Sequence, residues 1–187
     1  MTIIINRLVF PLTLMAIMAL TRFHHFGSAF SLPDASLAVF FLAGLGLSNP
    51  RFFALLLIEA GLIDYLAITQ FSVSDFCISP AYVCLVPTYA VMWFAGRYCK
   101  PHIALDFGDT LKTFGWAATA TIAAFVVSNG SFYLFSGSFG ELSWDKYLLQ
   151  TTQYLPSYLS ATLLYVVMGL AIAKLMKAAR AAALVES

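Results

Sequence analysis

The chain has 187 residues, 61% hydrophobic and only 10% charged, with Phe alone contributing 17. A soluble domain carries roughly 25% charged residues, so this chain has too little polar surface to clothe a globule in water. The composition reads as a single-domain, all-α integral membrane protein whose main partner is the lipid bilayer. A net charge of +1, with no basic block beyond Lys174, Lys177 and Arg180, gives no footing for nucleic-acid binding.

The first apolar segment covers 3–22, with Pro11 inside it as a kink site and Arg22, His24 and His25 at its far end. Arg7, the run Leu8–Leu20 and the small residues Gly27 and Ala29 also have the outline of a cleavable signal peptide. The segment can equally span as a helix, whereas cleavage would leave five segments with the termini on opposite sides. A second segment, 35–47, is short for a full span, with Pro33-Asp34 offering a cap at its start. Ser48-Asn49-Pro50-Arg51 closes it and opens the third segment, 50–70, with Asn49 as cap and Pro50 at the first helical position. Glu59 lies mid-way along that third segment and Asp64 near its exit.

The fourth segment, 80–99, has Pro87 as a kink site, and the fifth runs 110–128. Residues 128–154 follow, rich in Gly, Ser and aromatics, without a regular period. A stretch of this length is expected to be either functional or disordered, and its aromatic content argues for an ordered, lid-like loop. The last segment, 155–180, ends in a basic, Ala-rich tail. These segments give a bundle of six transmembrane helices. Arg7, Arg51, Arg97, Lys100, Lys112, Lys174, Lys177 and Arg180 fall on one side, and Arg22 and Lys146 on the other. Lys and Arg resist translocation, which places both termini in the cytoplasm.

The outward side then collects His24, His25, Asp34, Asp64, Asp75, Cys77 and Tyr82. Cys77 stands in the loop between the third and fourth segments. It is open to three readings: a bridge to Cys84, a buried thiol that packs as a small hydrophobe, or a reactive sulfur. Asp75, two residues away, disfavours a thiolate. A bound soft metal ion would reverse that balance by deprotonating the thiol. An intramembrane carboxylate such as Asp64 or Glu59 is costly and marks a candidate functional residue, with a helix-packing role as the alternative. His24 and His25 are adjacent, about 100° apart on a helix, and cannot chelate one ion together.

The set His25, Asp64, Cys77 and Tyr82, on a six-segment chain of this size, resembles the BtuM family of small bacterial cobalamin-uptake proteins. These are relatives of the substrate-binding S components of energy-coupling-factor transporters. The resemblance implies cobalamin bound as substrate at the outward face, with the Cys77 thiolate as axial ligand of its cobalt in place of the cofactor's own benzimidazole. His25, Asp64 and Tyr82 would line the site, and Cys77 would also serve as the catalytic group that strips cyanide from cyanocobalamin. The small-residue pattern through which S components dock on a coupling subunit has no match in the first segment, where Ala16 and Ala19 are three apart rather than four. An ATPase or coupling partner is therefore left unspecified. The rival expectations are an S component for another vitamin, a proton-coupled carrier using Glu59 and Asp64, and a membrane thiol oxidoreductase cycling a Cys77–Cys84 disulfide.

Overall fold

A computed structural model describes residues 2–22, 32–47, 49–71, 73–76, 78–99, 107–137, 139 and 143–185. Side chains are described from Leu8 onward in the first helix, and as far as Met176, with Ala178, in the last. Among the described residues seven α-helices follow one another: α1 (Thr2–Arg22), α2 (Ser36–Gly46), α3 (Pro50–Phe71), α4 (Leu85–Cys99), α5 (Phe107–Phe135), α6 (Trp144–Thr152) and α7 (Leu155–Val185), with a 3-10 turn at Pro80–Cys84 ahead of α4. No strand occurs among the described residues.

The helix-start signals in the sequence act where expected. Asn49 Oδ1 accepts the Arg51 N–H at 3.0 Å and its carbonyl accepts Phe52 N–H at 2.9 Å, so α3 opens at Pro50. Asp34 Oδ1 accepts the Ser36 N–H at 2.9 Å at the start of α2. Pro11 is carried inside α1. Pro87 falls in the first turn of α4, where its missing N–H leaves few helical bonds unmade, and the tighter 3-10 turn precedes it.

Two features differ from the sequence reading. Residues 128–154 are not one continuous loop, because α5 continues to Phe135 and α6 occupies Trp144–Thr152. The polar residues expected to break α5 instead turn back onto it: Asn129 Nδ2 donates to the Phe125 carbonyl at 3.0 Å and Ser131 Oγ to the Ser128 carbonyl at 2.8 Å. The second difference is that the described helices do not give the six membrane spans expected from the sequence. Three described helices are long and apolar enough to cross a membrane, namely Pro50–Phe71, Phe107–Phe135 and Leu155–Met176, while the apolar stretches Leu8–Arg22 and Ser36–Gly46 are shorter. This is the architecture of an all-α membrane protein.

α2 is the centre of the packing. It is apolar all round, Ala38–Leu45 are buried, and it packs most extensively against α4, with α1, α3 and α7 around it. A helix of 11 residues is about 17 Å long, well short of a hydrocarbon core of about 30 Å. Two glycines bring α2 and α4 together: a Cβ on Gly44 would overlap the Trp93 carbonyl oxygen, and one on Gly96 the Phe41 carbonyl oxygen. An aromatic column continues the contact, with Phe40 stacked on Tyr89 at 4.2 Å between centroids and Phe53 edge-on to both Phe40 and Trp93. The outer faces of α3 and α7 expose Leu55, Ile58, Leu62, Leu66, Val167, Met168 and Ile172. Lipid, not water, suits a surface of that kind.

Candidate functional site

The end of the bundle where α1 finishes and α2 begins holds a buried polar cluster. Arg22, the last residue of α1, is 2% exposed, and Asp64, late in α3, is 5% exposed. They form a fork-to-fork pair: Arg22 Nε donates to Asp64 Oδ1 at 2.8 Å and Nη2 to Oδ2 at 2.7 Å. Arg22 Nη1 donates to Ser36 Oγ at 2.9 Å and to the Tyr89 hydroxyl at 2.6 Å. Ser36 Oγ in turn donates to Asp34 Oδ1 at 2.6 Å, and Asp34 Oδ2 stands 3.9 Å from Arg22 Nη1. A planar guanidinium can serve a carboxylate and two hydroxyls at once, which a lysine ammonium cannot reproduce.

Tyr82 joins the cluster from the 3-10 turn, its hydroxyl donating to Asp64 Oδ2 at 2.7 Å. A phenol is a protonated donor at ordinary pH, which suits the Asp64 carboxylate as its acceptor. Asp64 thus accepts two bonds from Arg22 and one from Tyr82. Of the four residues assigned to the site from sequence, Asp64 and Tyr82 are brought together. His25 and Cys77 lie outside the described residues, as do His24 and His102.

The flanks of Cys77 are described. Asp75 and Phe76 are exposed, Ile78 N–H donates to the Asp75 carbonyl at 2.7 Å, and Tyr82 N–H donates to the Ser79 carbonyl at 2.8 Å. Ser79 Oγ is buried, with no hydrogen-bond partner among the described residues. Phe76 sits edge-on to Phe132 of α5 at 5.5 Å. Phe132 belongs to a larger group of rings, in which Tyr133 lies 4.0 Å from Trp144 and 4.6 Å from Tyr147, and Phe139 packs on Phe132 and Tyr147. The Tyr147 hydroxyl donates to the Asn129 carbonyl at 2.7 Å, tying α6 to α5. An aromatic cover therefore reaches the residue that precedes Cys77.

Glu59, Cys84 and Cys99 take no part in this cluster. Glu59 is half-buried, with Oε2 lacking a hydrogen-bond partner among the described residues. Cys84 and Cys99 are free thiols. A cavity of about 140 Å³ at the other end, lined by Tyr98, Cys99, Lys112, Thr113 and Trp116, holds none of the predicted site residues. Among the described residues no three His, Cys, Asp or Glu side chains converge on a metal position.

Sequence reasoning assigned Arg22 only a role in membrane orientation and missed it as the partner of Asp64. The signal was present: a carboxylate in an apolar helix needs a cation, and Arg22 and Lys146 were the ones expected on its side of the membrane. No protein-family model matches this chain, and no curated protein matches it.

Proposed function

We propose that the protein is an inner-membrane corrinoid-uptake protein of the BtuM type, related to the S components of energy-coupling-factor transporters. Its six apolar segments are α1 to α5 and α7, with α2 as a short central helix, both termini in the cytoplasm and the Arg22–Asp64 end facing outward. Cobalamin is the substrate. The Cys77 thiolate takes one axial position on cobalt, and His25, Tyr82 and Asp64 shape the surrounding rim. A soft sulfur donor binds a transition metal as thiolate and feeds electron density to it. In cyanocobalamin that donation labilises the opposite axial bond, and cyanide departs as the anion with the bonding electron pair.

The observation that carries the reading is the meeting of Asp64 and Tyr82. They are 18 residues apart in sequence, joined at 2.7 Å, and flank the segment containing Cys77. A single-sulfur ligation would need no cluster of protein ligands. The orphaned Ser79 hydroxyl suits a peripheral amide of a corrin ring.

The test is the visible spectrum of the purified protein incubated with hydroxocobalamin. The expected result is a retained, coloured ligand with a shifted spectrum, the shift lost in Cys77→Ala and kept in Cys99→Ala. Retention of an unshifted corrinoid by wild type and Cys77→Ala alike would remove the sulfur–cobalt bond from the account, and no retention at all would remove the corrinoid.

A second reading, a proton-coupled carrier, draws on Glu59 Oε2, unpartnered and buried within α3. It predicts uptake that responds to the proton gradient and is abolished in Glu59→Gln. Uptake independent of pH would exclude it.

A further inference from the structure

α5 and α7 are each long and apolar enough to cross a bilayer, so the link between them stays at one membrane face. That link contains α6, nine residues of helix. Its length of about 14 Å is half of a hydrocarbon core of about 30 Å. The side chains of α6 fall into stripes four residues apart, the spacing that shares one face of a helix. Tyr147 and Thr151 form the inward stripe and are buried, and the Tyr147 hydroxyl donates to the Asn129 carbonyl of α5. Trp144 and Leu148 form an apolar flank, 45% and 50% exposed. Lys146 and Gln150 form the opposite flank, polar and exposed. We infer that α6 is an interfacial anchor lying in the plane of the membrane face, with the Trp144–Leu148 flank among phospholipid acyl chains and the Lys146–Gln150 flank in water. The anchor would serve the fold whatever the rim binds.

Lipid is the occupant that the surroundings of this flank favour. Trp144 packs on Tyr133 near the end of α5, and the exposed apolar stripe of α5, Ile122, Val126 and Leu134, ends beside Tyr133. The flank therefore continues the surface that a spanning α5 shows to lipid. Past α6, Tyr154 and Tyr158 are half exposed around the start of α7. Trp and Tyr settle at headgroup level, ring in hydrocarbon and polar atom in the wet layer. Charge plays no part in the attraction, because Asp145 and Lys146 cancel within the helix. Removal of apolar area from water drives it, and neutral lipid is as good a partner as anionic lipid. The outermost stripe pairs Asp145 with Leu149, so the boundary between lipid and water falls along it. A segment that only covered the rim from the water side would have no use for Leu148 and Leu149 turned outward, the latter 78% exposed.

The experiment puts a photoreactive p-benzoylphenylalanine in place of Leu148 or, in a second variant, of Gln150, two residues on and about 200° around the helix. Each full-length variant is reconstituted in phosphatidylcholine vesicles, irradiated, and weighed by intact mass spectrometry for the addition of one lipid molecule. The expected result is a lipid adduct at position 148 that exceeds the one at position 150 by about tenfold, a ratio within the transfer free energy of one leucine. The same excess is expected when part of the lipid is phosphatidylglycerol. Equal yields at the two positions, low or high, would overturn the in-plane orientation. So would an excess that needs the anionic lipid, or a main product at position 148 made of two protein chains, which would put a second copy on the flank. Both positions are exposed, away from the buried Tyr147–Thr151 stripe. Should a photoreactive variant still not fold, tryptophan emission decides. The emission present in wild type and missing in Trp144→Phe should be quenched more by bromines high on the acyl chains than by bromines near their ends, and any other pattern would overturn the anchor.

Discussion

Two structures sit side by side at one end of this bundle, and they are held together differently. The Arg22–Asp64–Tyr82 clasp is built from a few directional bonds between α1, α3 and the turn before α4, in a setting that excludes water. The aromatic cover of Phe76, Phe132, Tyr133, Phe139, Trp144 and Tyr147 is built from many ring contacts, with Phe76 and Trp144 largely exposed. Directional bonds in a low-dielectric setting are all-or-none, because losing one partner leaves the other charged and desolvated. Ring contacts are individually small and substitute for one another. The clasp is therefore the rigid wall of the rim, and the cover is its tolerant, adjustable one.

The largest effect separating the two walls is expected from single substitutions in the pair. Arg22→Ala or Asp64→Ala should each lower stability by about 3–5 kcal/mol, read as a fall in unfolding midpoint in detergent. The double variant Arg22→Met with Asp64→Leu should recover most of that loss. A single variant as stable as wild type would mean that the pair is not the rigid element.

Next is Tyr82→Phe, which removes a hydrogen bond to a charged acceptor and should cost about 1.5–3 kcal/mol without disturbing the ion pair. In the cover, Tyr133→Ala deletes contacts to Phe139, Trp144 and Tyr147 and should cost about 1–2 kcal/mol. Faster amide hydrogen exchange should then be confined to α6 and the end of α5, and exchange spreading into α2 would contradict the separation of the walls. Phe76→Leu trades one exposed edge-on ring contact for an aliphatic one and should cost no more than about 0.5–1 kcal/mol. A larger loss would make the Phe76–Phe132 contact a structural bond and not an adjustable one.

The same contrast explains what could be read from the sequence. The start of α3 was legible because Asn49 and Pro50 act on their nearest neighbours, and the apolar segments because membrane solvation is a property of composition. The extension of α5 was not, since Ser128, Asn129 and Gly130 are loop-formers by type, and only within the folded helix do Asn129 and Ser131 bond back to its carbonyls. Asp64 and Tyr82 were legible as polar residues in an apolar chain. Their common tie to Arg22, 42 residues from Asp64, has no period to betray it and required an argument from the cost of an unpaired buried carboxylate.

The most direct test of the central claim is X-ray absorption at the cobalt edge of the protein loaded with cobalamin. A sulfur scatterer in the first coordination shell, present in wild type and in Cys99→Ala and absent in Cys77→Ala, is the predicted result. A shell of nitrogen and oxygen alone in the loaded wild type would contradict it.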